Sequence, residues 1–272
     1  MSALRKPMAF LKKDFLLEVS YRFSFVLQFT GIFFQVAMFY FVAKLLGGAP
    51  SVHHALKAYG GNYFSFVVIG IAFSSFLGVG LGSFSTSIRA EQMMGTLEAM
   101  LVTPTRLSNI ILSSVQWDFT FTALRVGVYL LVGAIAFGLD LSGANILPAL
   151  LALVLTVIAF SSLGVISASF IMLFKRGDPI AYIFSTSSTL LGGVYYPISI
   201  MPGWLQDISH LLPITYALEA IRLSLLKGAG FTAIAGNLVN LVIFSLIMLP
   251  ISLVIFSFAV GRAKKDGSLS YY

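Results

Sequence analysis

The sequence predicts an all-α integral membrane protein with six transmembrane helices. A basic amphipathic helix precedes the first span, a two-faced helix follows the second on the inner side, and a re-entrant helical pair precedes the last. Three observations carry this prediction. The 272 residues are 58% hydrophobic and only 10% charged, with a mean hydropathy of +0.95, whereas soluble domains carry roughly 25% charged residues. Six stretches are apolar over the ~20 residues needed to cross a bilayer. The basic residues are distributed unevenly between the segments that join those stretches.

The chain opens with Arg5, Lys6, Lys12, Lys13 and Arg22 interleaved with Phe10, Leu11, Phe15, Leu16 and Leu17. This pattern over 1–22 fits a helix lying on an anionic membrane face. A cleaved signal peptide is the competing reading, but its apolar core would run only about 7–15 residues, and the stretch from Phe23 is longer. Spans are expected at 23–46, 62–84, 115–138, 146–174, 179–197 and 233–260. With an inner N-terminus, twelve Lys and Arg fall in inner segments and four (Lys44, Lys57, Arg222, Lys227) in outer ones, Arg125 lying within a span. The positive-inside rule therefore puts both termini in the cytoplasm.

In the outer loop 47–61, His53 and His54 are adjacent, point apart and have no third ligand nearby, which fits a solvated loop better than a metal site. Gly70, Gly78, Gly80 and Gly82 punctuate the second span, and the Gly78/Gly82 spacing suits close helix packing. Over 89–114 the pattern becomes two-faced. Met93, Met94, Leu97, Met100 and Leu101 share one helical face, and Glu91, Gly95 and Glu98 another. Pro104 ends this helix near Thr103, which can cap the next helix with the proline in its first turn.

Asp118 and Arg125 lie seven residues apart on one face of the third span, where ionisable groups are costly and face protein or water. Arg125 either lines a path or pairs with Asp118 or a neighbouring helix. Asp178-Pro179 reads as a helix cap and first-turn proline. Further on, Pro197, Pro202 and Pro213 cut the chain into short pieces. Trp204, Leu205, Ile208, Leu211 and Leu212 make an apolar stripe, and Glu219 and Arg222 are spaced for a local ion pair. Two short helices over 197–228, dipping into the outer leaflet with Trp204 and Tyr216 at interfacial depth, fit these residues. His210 reads as a polar interfacial residue. The tail from Arg262 reads as a solvated basic end.

Several chemistries leave no trace. No Gly-x-x-x-x-Gly-Lys-Ser/Thr, His-Glu-x-x-His or Gly-x-Ser-x-Gly pattern occurs, so the chain offers no phosphate cradle or familiar hydrolytic site. Cysteine is absent, which removes thiolate chemistry. The spans lack the buried carboxylates of ion-driven carriers, and the basic residues form no run suited to nucleic acid.

Two segments resemble the permease subunits of type-2 ABC exporters. EQMMGTLEAMLVTP at 91–104 is similar to that family's signature after the second span. YYPISIMPGWLQDISHLLPITYALEAIR at 195–222 is similar to its pattern between the fifth and sixth. The resemblance covers essentially the whole chain. It implies a domain over 23–272 preceded by the interface helix 1–22, with a coupling region at 86–104 that docks on a separate ATP-binding subunit through Glu91, Gly95, Thr96, Leu97 and Glu98. It also implies that the hairpin carrying Pro197, Pro202, Trp204, Pro213, Tyr216, Glu219 and Arg222 closes the outer end of the path.

The chain itself then needs no cofactor and no catalytic or metal-binding residue, ATP and magnesium being bound by the partner. Two permease copies would assemble with two ATPases in the cell membrane, among its lipids, and the cargo would be amphipathic, lipid-linked or drug-like. Two other readings stand beside this one. A membrane-embedded lipid-modifying enzyme would need Asp118, Arg125, Glu219 and Arg222 at one depth, and their positions scatter them across opposite leaflets. A non-transporting assembly subunit is the third.

Overall fold

The computed structural model describes Phe15, Leu16, Glu18 and residues 20–46, 50–95, 107–174 and 177–265. Most of the expected interface helix 1–22, along with Thr96, Leu97 and Glu98, lies outside the described residues. The architecture is helical throughout them. The main elements are α1 (Arg22–Leu46), α2 (Pro50–Ala55), α3 (Tyr63–Met93), α4 (Leu107–Phe137), α5 (Ile146–Phe174), α6 (Pro179–Leu191), α7 (Gly203–Ser209), α8 (Pro213–Lys227) and α9 (Ala235–Lys265). Short 3-10 turns occupy Lys57–Tyr59 and Ile198–Ile200. Five of these helices, α1, α3, α4, α5 and α9, are long and apolar enough to cross a membrane.

Helix α3 is the centre of the bundle. Its most apolar window is 78% buried, against 11% for α1 and 17% for α9, so the peripheral helices leave their outward faces uncovered. Asn62 starts α3 by accepting hydrogen bonds from the Phe64 and Ser65 N–H groups, which satisfies first-turn donors that have no partner within the helix. The chain then stays helical for 31 residues, about 46 Å at 1.5 Å per residue, well past the 62–84 expected. Val67, Ile69, Ala72 and Leu77 place this helix in the main apolar core with Phe160, Leu163 and Ile221.

Backbone proximity fixes the crossing of α3 and α5. A Cβ on Gly164 would lie 2.1 Å from the Gly80 carbonyl oxygen, and one on Gly80 would lie 2.6 Å from the Phe160 Cβ. Small residues thus bring two helices together, as expected in a membrane where no hydrophobic drive separates helix from lipid. The positions differ from the expected pair, because Gly78 and Gly82 face open space.

Helix α6 falls short of its expected span of 179–197. Asp178 caps it as predicted, accepting from the Ala181 N–H at 2.9 Å and from the Ser167 hydroxyl. The helix then runs for only 13 residues, about 20 Å, short of the ~30 Å hydrocarbon core. It ends at a Gly192–Gly193 turn, with Gly193 at φ +75°. At the far end of the chain, α9 accommodates Pro250 within the helix and continues to Lys265, so Arg262 and Lys265 extend a span and do not begin a loose tail.

Candidate functional site

The residues singled out by sequence gather at opposite ends of the bundle. At the end of the bundle that the charge distribution assigns to the inner side, the amphipathic helix expected to run to Thr103 is interrupted at Gly95. Residues 89–93 form the last turns of α3, and Gly95 stops it in the left-handed conformation at φ +68°. A non-glycine residue costs about 1–2 kcal/mol in that region, so glycine is the natural terminator there. Met93 and Met94 are 68% and 65% exposed. Gln92 is buried, and neither its amide oxygen nor its nitrogen has a hydrogen-bond partner among the described residues. Glu91 is half-buried beside them.

Asp118 and Arg125 lie on α4, both half-buried. Their seven-residue separation is about 10 Å along the axis. The Arg125 Nε is buried without a hydrogen-bond partner among the described residues. One turn on, the Tyr129 hydroxyl donates to the Gln35 side chain of α1 at 2.5 Å, so a polar contact joins α1 to α4 at mid-span. Nearer the inner end, the Phe15 ring meets Trp117 at 5.8 Å, and Trp117 stacks on Phe121. These aromatic contacts bring the chain before α1 against α4.

At the opposite end, the outer one by the same charge distribution, the three prolines act as the sequence predicts. Pro197 precedes the second 3-10 turn, Pro202 is the N-cap of α7, and Pro213 opens α8. Helices of 7 and 15 residues span about 10 and 22 Å, so neither crosses alone. The corner between them is clamped by hydroxyls. Thr215 donates to the Ser209 carbonyl at 2.7 Å, Tyr216 to that of His210 at 2.7 Å, and Ser209 to that of Leu205 at 2.9 Å. Trp204 and Leu211 project outward, 65% and 75% exposed.

Arg222 holds this cap to the bundle. It is 2% exposed, and its guanidinium donates to three backbone carbonyls: Phe66 at 3.1 Å, Gly193 at 2.7 Å and Val194 at 2.9 Å. Its face lies 3.5 Å from the centroid of the Phe66 ring, a cation–π contact that strengthens when desolvated. A Cβ on Gly70 would lie 2.2 Å from the Val194 carbonyl oxygen and 2.3 Å from an Arg222 nitrogen, so that glycine makes room for the clamp. The local ion pair expected with Glu219 gives way to these longer-range bonds. Non-helical backbone such as the turn after α6 leaves carbonyls without helix partners, and Arg222 supplies donors to two of them.

Beside this clamp lies a cavity of about 210 Å³ lined by Tyr59, Ser199, Gln206, His210, Glu219 and Arg222 among others. Burial pushes the Tyr59 phenol up, the Glu219 carboxylate adding to the rise and Arg222 opposing it. The sequence pattern assigns Tyr59 and Gln206 no role and places His210 at the interface. The Tyr59-Gly60-Gly61 turn and the Gly192-Gly193 pair were the available signals of two chain reversals that meet there. Helix α4, which carries Asp118 and Arg125, is not among the elements packed substantially against α8, which carries Glu219 and Arg222, so these four do not form one catalytic cluster.

A profile described as ABC-2 type transporter matches residues 8–226, more than half of the chain. The chain belongs to the ABC-2 type transporter family. The ABC-2 match takes in the α3 terminus and both helices of the outer hairpin. Nodulation protein J of Sinorhizobium fredii is 29% identical over 202 residues, covering 70% of this chain and 76% of that protein. The inner membrane transport permease YadH of Escherichia coli K12 is 28% identical over 165 residues, covering 60% of this chain and 63% of its own length. Nodulation protein J of Rhizobium leguminosarum bv. trifolii is 28% identical, covering 56% and 62%. The chain thus spans a little under two thirds of the second and third. Membership of this permease family makes transport across a membrane the chain's role.

Proposed function

We propose that the chain is the transmembrane permease subunit of an ATP-driven exporter that moves an amphipathic, lipid-linked or drug-like substrate out of the cytoplasm or inner leaflet. ATP and magnesium belong to a separate ATP-binding subunit. The observation that carries this reading is the family match, together with the shape of the inner end. There α3 runs past the bilayer, stops at Gly95 and presents Met93 and Met94 to the outside of the bundle. In this reading the two methionines begin the surface on which the ATP-binding subunit docks. The coupling region 86–104 begins on this rigid helix, so a push on it is delivered directly to the most buried element of the fold.

In this reading α1, α3, α4, α5, α6 and α9 make six crossings. Parity supports the sixth, since five would put the basic end of α9 on the opposite face from the basic segment 1–22. Helix α6 crosses most of the bilayer and its buried turn completes the passage. Irregular backbone at that depth is tolerable only where protein donors meet its carbonyls, as Arg222 does. Residues 197–228 then form the outer gate. Two permease copies associate through the uncovered apolar faces, with both termini cytoplasmic. Nucleotide-dependent docking on the coupling regions shifts the pair between inward- and outward-facing arrangements.

The test replaces Glu91 or Glu98 with Lys and measures recovery of the ATP-binding subunit with the permease, and export. Loss of both in a normally folded variant is expected. Unchanged docking and export in both variants removes the proposed coupling role.

A further inference from the structure

Gln92, in the last turn of α3, is 4% exposed, and both polar atoms of its amide lack a hydrogen-bond partner among the described residues. Buried hydroxyls on α5 fare differently. Ser167 donates to Asp178, and Thr156, Ser162 and Ser169 donate to carbonyls of their own helix. An amide buried without partners costs free energy that an apolar side chain of the same shape would not.

The position of Gln92 shows which partners it could meet. Phe84, Ile88 and Gln92 are four residues apart on one face of α3. The first two pack in an apolar cluster with Ala168 and Met172 of α5 and with Ala259 and Ala263 of α9. From their contact at Gly80 and Gly164, α3 and α5 therefore run side by side toward the inner end. One more turn brings Gln92 level with the end of α5 at Phe174. The last four carbonyls of a helix have no partner within it, and a glutamine amide carries two donors. Gln92 lies twelve residues beyond Gly80, about 18 Å along the axis. Backbones touching at two glycines can turn about that contact more easily than they can part or slide. A tilt of about 6° there would carry Gln92 about 2 Å, a size of shift common in switching helices.

We infer that Gln92 is a positioning residue for transport: α3 rocks about the Gly80–Gly164 contact, and the Gln92 amide, unpaired in the arrangement described, donates to the last-turn carbonyls of α5 in the other. The side chain thus penalises one state and stabilises the second, which makes the inner end bistable. Met93 and Met94 receive the push, and Gln92 converts it into a new bond between α3 and α5. Asp178 accepts from Ser167 of α5 and from the first turn of α6, so α6 is tied to the helix that Gln92 engages. This inference rests on the exporter reading.

The test uses the full permease in nanodiscs, alone and with its ATP-binding subunit. Gln92→Met keeps the shape and removes the amide. Alone, this variant is expected to melt about 2–4 °C higher, because the unpaired group is gone. With the ATPase, docking affinity stays as in the parent, since Gln92 is buried. Permease-stimulated ATP turnover and export fall about three- to tenfold, the scale of one hydrogen bond. Gln92→Asn, which keeps the amide on a shorter stem, retains more of the stimulation than Gln92→Met. Gln92→Leu supplies the same comparison if Gln92→Met does not fold. Stimulation and export equal to the parent in Gln92→Met, or an equal loss in the Met and Asn variants, overturns the inference. A melting temperature lowered by Gln92→Met overturns it without the ATPase. A parent that neither stimulates the ATPase nor exports removes the exporter reading instead.

Discussion

The two ends of this bundle are built on opposite principles. The outer end is closed upon itself: one buried guanidinium, three carbonyls and a set of hydroxyl-to-carbonyl bonds fasten α8 to α3 and to the turn after α6. The inner end is open. There α3 simply stops at a left-handed glycine, with methionines facing outward and a buried glutamine lacking partners among the described residues. In the proposed exporter, a cap that seals a path against water needs its polar groups satisfied within the chain. A surface that receives another subunit needs groups left for that subunit to meet. The contrast predicts that outer substitutions cost stability, while inner ones cost coupling.

Arg222→Ala should break the contrast most severely. It removes charge-assisted bonds worth about 1.5–3 kcal/mol each before compensation, and a net loss of about 3–5 kcal/mol is expected, read as a large fall in melting temperature in detergent. Arg222→Lys should recover only part of it, because an ammonium cannot reach three carbonyls in a fixed fork. Gly164→Val comes next, at about 1–3 kcal/mol from overpacking against the Gly80 carbonyl, measured in the same way. Gly95→Ala should cost about 1–2 kcal/mol, since its neighbourhood is open and only the backbone conformation is strained. Its larger effect is expected on permease-stimulated ATPase activity, through altered aim of the segment that follows. Trp204→Ala should change melting least, within about 0.5 kcal/mol, as expected for an exposed side chain. A stability loss at Gly95 as great as that at Arg222 would erase the distinction between the two ends.

Helix existence was largely legible, because spans of ~20 apolar residues leave a strong signal and the caps at Asp178 and Pro213 are chemical marks of helix starts. Helix length was less so. Polar residues 85–93 continue α3 because a helix already nucleated by its membrane portion extends at little cost, so hydropathy marks the edge of the bilayer and not the end of the helix. The opposite error befell 179–197, where apolar character persisted past the point at which Gly192 and Gly193 turned the chain. The hairpin from Pro197 to Arg222 carries a legible motif, whereas Tyr59 and Gln206 do not announce themselves, since no local pattern says which residues two separate loops bring together.

The sequence by itself determined that the chain lies in a membrane, where helices begin, and which end is basic. These follow from composition and neighbour-to-neighbour chemistry. Only the tertiary structure decided that Arg222 serves the carbonyls of Phe66, Gly193 and Val194 instead of Glu219, and that Gly80 meets Gly164. The reason is physical. A hydrogen bond or close backbone contact across 156 residues, as between Arg222 and Phe66, depends on how helices cross, and a crossing is a property of two surfaces that no single stretch of sequence contains.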